Sequence, residues 1–315
     1  MEISSKGGYN LFVYNAIKMQ KNKLNICITG STSGIGLATV KALSERKDKA
    51  YNIFVTSRKL DNAQAAMEKL AFEVGDSPST LNALELDLSK KESVDAFVAN
   101  LVAHDIQFDV LDNNAGVNNM EEGKKSQEGF YFNWTTNYTN TRYLAEQMIE
   151  QGRIKENGKI IFVSSLTGKW QTIKNLNPGV YKRLKTSDEW GYKEINELEK
   201  ECIEDHQDEE RAKRWDWVYS SSKLFVNLFT LVFSKDPRVT QKGIQVYALC
   251  PGFCETSMMA GTPYQGKAPR TAEQGAQTPV YLIDLPFKID PELQGGFFER
   301  EKLSSYDSVP KLMAK

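Results

Sequence analysis

The chain reads as an α/β protein built on a doubly wound parallel sheet. Three observations predict this. Short runs rich in β-branched and aromatic residues alternate with amphipathic helical stretches. A glycine-rich turn joins the first such run directly to the first helix, and no internal repeat or low-complexity tract breaks the alternation. Parallel strands need crossovers, and helical crossovers cover both faces of the sheet.

The elements follow in order. Residues 24–29 read as a short buried strand. Residues 34–44 form a helix opening from the turn, with Ile35, Leu37, Val40 and Leu43 apolar. Residues 51–57 are a second strand and 61–74 a helix. The run 84–88 ends a third strand, and 93–103 is a helix with Val94, Phe97, Leu101 and Val102 on its apolar side. Residues 108–111 lead as a fourth strand into Asn113, while 159–164 and 244–249 are the fifth and sixth. Residues 169–218 stand apart. Charge is dense over 194–214, yet Ile195, Leu198 and Cys202 fall at i, i+3 and i+7, so a solvated helical insertion is expected. Residues 1–22 form an N-terminal extension with one short apolar patch at Leu11-Phe12-Val13-Tyr14, read as a packing or frayed arm. The rest, 23–315, is read as one domain.

Composition excludes several function classes. A net charge of −1 gives no electrostatic case for nucleic acid or anionic membrane. No stretch approaches the ~18 apolar residues of a membrane helix; the longest apolar segment, 224–233, is interrupted by Asn227 and Thr230. Cys27, Cys202, Cys250 and Cys254 show neither disulfide nor zinc spacing, which points to reduced thiols in the cytoplasm. His104 and His206 lack ligand-like neighbours, so no metal site is expected.

The chemistry concentrates in five motifs. Gly30-Ser31-Thr32-Ser33-Gly34-Ile35-Gly36 follows a strand and opens a helix, where glycine permits close approach of a pyrophosphate and the helix N-terminus offers it free N–H groups. At the end of the second strand an acid would select a ribose 2′-hydroxyl. Here Arg58 stands, with no acid before Asp61, and a guanidinium suits a 2′-phosphate, so NADP(H) is the expected cofactor. Asn113-Asn114-Ala115-Gly116 and Val163-Ser164-Ser165 follow. Tyr219 and Lys223 are i, i+4 and share a helix face. A phenol titrates near ~10 unperturbed, and a lysine cation nearby brings it toward the working range of an acid or base. Pro251-Gly252 is last.

This ordered set resembles the short-chain dehydrogenase/reductase family and implies a Rossmann-type single domain. The resemblance implies a nicotinamide-dependent oxidoreductase in which Tyr219 donates a proton to a carbonyl oxygen and Lys223 also holds the nicotinamide ribose. It points to Ser165 rather than Ser164 as the serine that polarises the carbonyl, because Gly168 lies three residues on. Asn137 matches the asparagine of the family's catalytic tetrad, which maintains a water relay to the lysine; Asn140 is the competing candidate. Asp87 and Leu88 correspond to residues against the adenine, and Asn114, Ala115 and Gly116 to the small residues over which the cofactor lies. Pro251 and Gly252 touch the nicotinamide, and Thr256 bonds its carboxamide. Residues 257–270, with Met258, Met259, Gly261, Pro263, Gly266 and Pro269, suggest a substrate lid.

The long segment before Tyr219, the run Thr136-Asn137-Tyr138-Thr139-Asn140-Thr141-Arg142 and residues 272–282 resemble the monomeric carbonyl reductases and the menthone and salutaridine reductases. Family members of this kind fold the insertion over the face that shorter relatives use for dimerisation, which implies a monomer. Carbonyl reductases often carry a lysine where Ser33 stands, leaving more of the NADP preference to Arg58. Glu128-Gly129-Phe130 with Lys223-Leu224 also resembles the retinol dehydrogenases. The expected activity is reduction of an aldehyde, ketone or quinone. Two alternatives are a retinol- or steroid-type alcohol dehydrogenase and a cofactor-bound scaffold without significant turnover. Trp215 and Trp217 either anchor the end of the insertion or line the substrate pocket.

Overall fold

The computed structural model describes residues 22–118, 131–186, 190–207, 215–260, 262 and 264–307. Residues 1–21 of the N-terminal extension, Glu128-Gly129-Phe130, Gly261, Pro263 and the Trp215 side chain lie outside the described residues.

The strands are β1 (Leu24–Ile28), β2 (Tyr51–Ser57), β3 (Thr80–Glu85), β4 (Phe108–Asn113), β5 (Ile154–Val163), β6 (Gln245–Cys250), β7 (Phe297–Glu299) and β8 (Lys302–Ser304). They form one sheet in the order β3-β2-β1-β4-β5-β6-β7-β8. All pairs are parallel except β7–β8. Chain progression reverses between β1 and β4, and in such sheets ligands bind beyond the carboxyl ends of the strands at that switch point.

The helices are α1 (Gly34–Ser44), α2 (Leu60–Val74), α3 (Lys91–Ala103), α4 (Phe132–Trp134), α5 (Asn140–Glu150), α6 (Trp170–Leu176), α7 (Pro178–Thr186), α8 (Tyr192–Gln207), α9 (Trp215–Phe233), α10 (Pro237–Thr240) and α11 (Ala272–Asp284). A π-turn, Thr135–Thr139, joins α4 to α5. Apolar side chains sort them onto two faces. Val40 and Leu43 of α1, Ala63 and Leu70 of α2, and Leu282 and Ile283 of α11 share a core with Ile26, Ile28, Ile53 and Ile161. Phe97 of α3, Leu144 and Met148 of α5, and Phe225 and Phe229 of α9 fill the other face. Ile195, Leu198 and Cys202 of α8 join that second core, each fully buried.

Several boundaries differ from the sequence reading. β3 stops at Glu85 because the carboxylate of Asp87 turns the chain, accepting the Ser89 N–H at 3.0 Å and its hydroxyl at 2.7 Å. β5 begins at Ile154, ahead of a register shift opposite β4; the turn-like Asn157-Gly158 within it, with Asn157 at φ 60°, masks the strand. β7 and β8 were not expected at all. Their connection places Arg300 (φ 49°) and Glu301 (φ 59°) in the left-handed region without the Asn-Gly or Asp-Gly signal such turns usually show. On α3 the inward stripe is Val94, Phe97, Val98 and Leu101, and Val102 is exposed.

Candidate active site

The glycine turn is held from behind. Gly30 adopts φ 61°, and a Cβ there would meet the Cα of Ala115 at 2.9 Å. A Cβ on Gly36 would come within 2.4 Å of the Asn114 Nδ2. That amide donates to the Thr29 carbonyl at 2.8 Å, and the Ala115 N–H donates to the Thr29 hydroxyl at 2.9 Å. Asn114 and Ala115 therefore lock the turn to the end of β4. Ser31, expected among the ligand contacts, is consumed by the turn. Its hydroxyl donates to the Ile28 carbonyl and accepts the Thr56 N–H, and its own N–H donates to the Thr56 carbonyl.

The front of the turn is open chemistry. Ser33 caps α1 from an extended backbone with no side-chain bond to the helix N–H groups, and the first turn of α1 carries no acid. Gly34 sits at φ 54°, with Thr256 facing it. Ile35 packs toward Gly275 of α11. Arg58 is exposed just past β2 and makes no ion pair or hydrogen bond among the described residues. Free helix N–H groups, a glycine turn packed tightly from behind and a guanidinium uncommitted among the described residues fit a phosphate-bearing dinucleotide. Leu88 is buried, and its carbonyl accepts the Asn140 amide at 2.9 Å. Asn140 therefore braces the loop that follows β3.

The second half of the site gathers around α9. The Ser165 hydroxyl lies close enough to the Tyr219 phenol to lower its pKa, while Ser164 is buried and donates to the Lys223 carbonyl at 3.1 Å. The Lys223 Nζ donates to the Val163 carbonyl at 2.9 Å and lies 5.9 Å from the Tyr219 ring centroid. A Cβ on Gly116 would fall 3.3 Å from both the Lys223 Nζ and the Asn137 Oδ1. The Asn137 amide donates to the Val117 carbonyl (2.9 Å) and the Ser222 hydroxyl (3.1 Å), and its oxygen accepts the Val117 N–H (2.7 Å). Asn137, and not Asn140, is the asparagine beside the lysine.

Electrostatics in this arrangement run against the simple expectation for the pair. Burial pushes the half-buried Tyr219 phenol up to about 12, and the Ser165 hydroxyl pulls the other way. Burial lowers Lys223 to about 8. The neighbouring Cys250 thiol is pushed up to about 11 by burial, so it stays protonated at neutral pH and brings no charge to the pair. Tyr219 is thus a protonated donor.

Pro251 is buried beyond β6, and Gly252 adopts φ 89° with the Arg270 side chain packed over it. Glu255 accepts the N–H groups of Gly266 and Ala268, which closes the loop bearing Met258 and Met259. The sequence did not reveal Ser222, Thr167 or Cys250 as members of the site. Thr167 donates its hydroxyl to Ser165 at 3.1 Å. A composition pattern carries no signal for such tertiary neighbours.

The short chain dehydrogenase family profile matches residues 24–177. The NADPH carbonyl reductase 1 of Sus scrofa is 29% identical over 289 residues, covering 90% of this chain and 94% of that protein. Among solved structures, salutaridine reductase from Papaver somniferum shares the fold with a TM-score of 0.68 at 21% identity, over 88% of this chain and 100% of that one. Menthone neomenthol reductase from Mentha piperita gives 0.67 at 21% identity, over 89% and 100%. Over residues 24–177 the chain matches the short-chain dehydrogenases, a class of oxidoreductases. Within that class it is carbonyl reductase-like.

Proposed function

We propose that the protein is an NADPH-dependent reductase of a small carbonyl compound, an aldehyde, ketone or quinone, acting as a monomer in the cytoplasm. The observation that carries this reading is the gathering of Ser165, Tyr219, Lys223 and Asn137 in one place beside the glycine turn. Ser33, Gly34, Ile35 and Gly36 would hold the pyrophosphate, and Arg58 the 2′-phosphate. Asp87 and Leu88 would border the adenine, and Asn114, Ala115, Gly116, Pro251, Gly252 and Thr256 the nicotinamide half. When bound, the cofactor supplies the hydride. Ser165 holds the carbonyl oxygen by a hydrogen bond, and Tyr219 passes its phenolic proton to that oxygen. Lys223, drawn toward neutrality by burial, keeps its charge below about pH 8 and there favours the phenolate that is left. Asn137 fixes the backbone around the lysine. The carbonyl reductases it resembles are NADPH enzymes, which supports the cofactor choice.

The test is loss of NADPH absorbance with a panel of aldehydes, ketones and quinones, repeated with Tyr219→Phe. The variant is expected to lose ~10²-fold or more in turnover, the scale of removing a general acid, while NADPH binding by fluorescence is nearly unchanged. A variant turning over near the parental rate refutes the tyrosine mechanism.

A further inference from the structure

Asn137 lies in the middle of the π-turn Thr135–Thr139. A π-turn holds one residue more than the α register on either side, so relaxation to α geometry would rotate its side chains by about 100°. Something must hold the turn in register, and its next residue supplies a candidate. The Tyr138 hydroxyl donates to Glu199 Oε2 at 3.1 Å and accepts from Arg142 Nη1 at 3.0 Å, so both its hydrogen-bonding capacities are used. Arg142 stands one turn further on, in regular α5, and also bonds Glu146 and Asn196. The bonds therefore span the junction between π and α geometry. The Tyr138 ring packs against Trp134 (centroids 5.3 Å) and Phe225 (5.2 Å), and Phe225 lies two residues after Lys223 on α9. Tyr138 is 1% exposed, and burial raises its phenol, so it remains a donor at any working pH.

We infer that Glu199, on α8, is a positioning residue: through Tyr138 and Arg142 it holds the π-turn that sets the Asn137 amide against Val117 and Ser222, next to Lys223. The inference rests on the role proposed above for Asn137 and Lys223. It gives the segment before α9 a part in the reaction besides covering a surface. Removing the Glu199 carboxylate leaves a buried phenol without its acceptor, and glutamine retains an oxygen that accepts the same bond.

The experiment compares Glu199→Ala, Glu199→Gln, Tyr138→Phe, Asn137→Ala and the double variant Asn137→Ala/Glu199→Ala, with Lys200→Ala on the exposed side of α8 as control. Kinetics are read with NADPH and the best carbonyl, and hydrogen exchange over 131–143 is read without substrate. Glu199→Ala and Tyr138→Phe are expected to speed exchange in that segment and lower kcat about tenfold at unchanged KM for NADPH. Their pH–rate profile is expected to shift as that of Asn137→Ala does. Glu199→Gln is expected to recover most of the rate, and the double variant to be no slower than Asn137→Ala alone. Unchanged exchange in Glu199→Ala, or losses that simply add to those of Asn137→Ala, would overturn the inference. If the parent chain turns over no carbonyl, the proposed activity falls by itself, and exchange alone decides whether Glu199 holds the turn.

Discussion

Arg58 and Asp112 sit two strands apart under opposite physics. Arg58 is exposed and, among the described residues, uncommitted, so its charge is available to a ligand. A charge-assisted hydrogen bond is worth ~1.5–3 kcal/mol, so Arg58→Ala is expected to weaken NADPH roughly ten- to hundred-fold while leaving NADH nearly unchanged. Titration of both cofactors by fluorescence checks this, and equal weakening contradicts it. Asp112, in β4 and in register with Ile28 and Ile161, is fully buried, and neither carboxylate oxygen has a hydrogen-bond partner among the described residues. Burial raises its pKa from 3.8 to about 7. The folded state therefore binds a proton that the unfolded state releases near 3.8. Its contribution is fully present below that value, is lost as pH rises toward 7, and is constant above. Asp112→Asn is expected to match the parent near pH 4 and to gain stability progressively up to pH 7, by at most roughly 4 kcal/mol. Urea unfolding at several pH values reads it, and a difference that does not vary with pH would remove the argument.

The one-turn 3₁₀ helix Leu166–Gly168 shows how an element places a reacting group. It seats Ser165, and it lies directly on α9: a Cβ on Gly168 would meet the Lys223 carbonyl carbon at 2.5 Å and the Leu224 nitrogen at 2.7 Å. Asn227 pins it by donating to the Gly168 carbonyl at 3.1 Å. Backbone cannot yield as a side chain end does, so Gly168→Ala is expected to lift the turn, cost ~1–3 kcal/mol in stability and lower kcat more than KM rises. A thermal melt with steady-state kinetics tests it; parental behaviour in both would show that Ser165 does not depend on this seating. Elements of this kind mark the limit of sequence reading. The strands β1, β2, β4 and β6 were legible as short apolar runs because the sheet buries both their faces, and helices α1 and α3 from the spacing of their inward side chains. The motif ends Tyr219 and Lys223 were legible because i, i+4 spacing fixes a shared face. What escaped depends on contacts distant in sequence: the hairpin β7–β8 turns through Arg300-Glu301, the π-turn adds one residue without a compositional mark, and Ser222 matters only because Asn137 reaches it.

At the scale of the molecule, the stretch between β5 and α9 decides what surface is left for association. Ile195, Leu198 and Cys202 point α8 into the core shared with Phe229 and Phe233 of α9. The start of α8 is tied down where Tyr192 donates to Asp236 at 2.7 Å, just beyond the end of α9. Its outer side presents Lys193, Asn196, Glu197, Lys200 and Glu201, all exposed. A dimer formed through α9 would have to displace this buried stripe and expose it. The large hydrophobic side chains that remain exposed among the described residues are Phe72, Val102, Tyr264, Tyr281 and Leu303, scattered over α2, α3, the loop after β6, α11 and β8. Lying on separate elements, these described residues give no sign of the contiguous apolar patch that a stable interface needs. The edge strand β8 is only three residues long and begins with Lys302, which makes it a poor template for strand pairing. Light scattering at micromolar concentration is therefore expected to return the mass of a single chain. A stable dimer or tetramer would refute the capping role of α8, and a dimer that forms only after Ile195→Asp and Leu198→Asp loosen that helix would show the covered face to be the one that pairs.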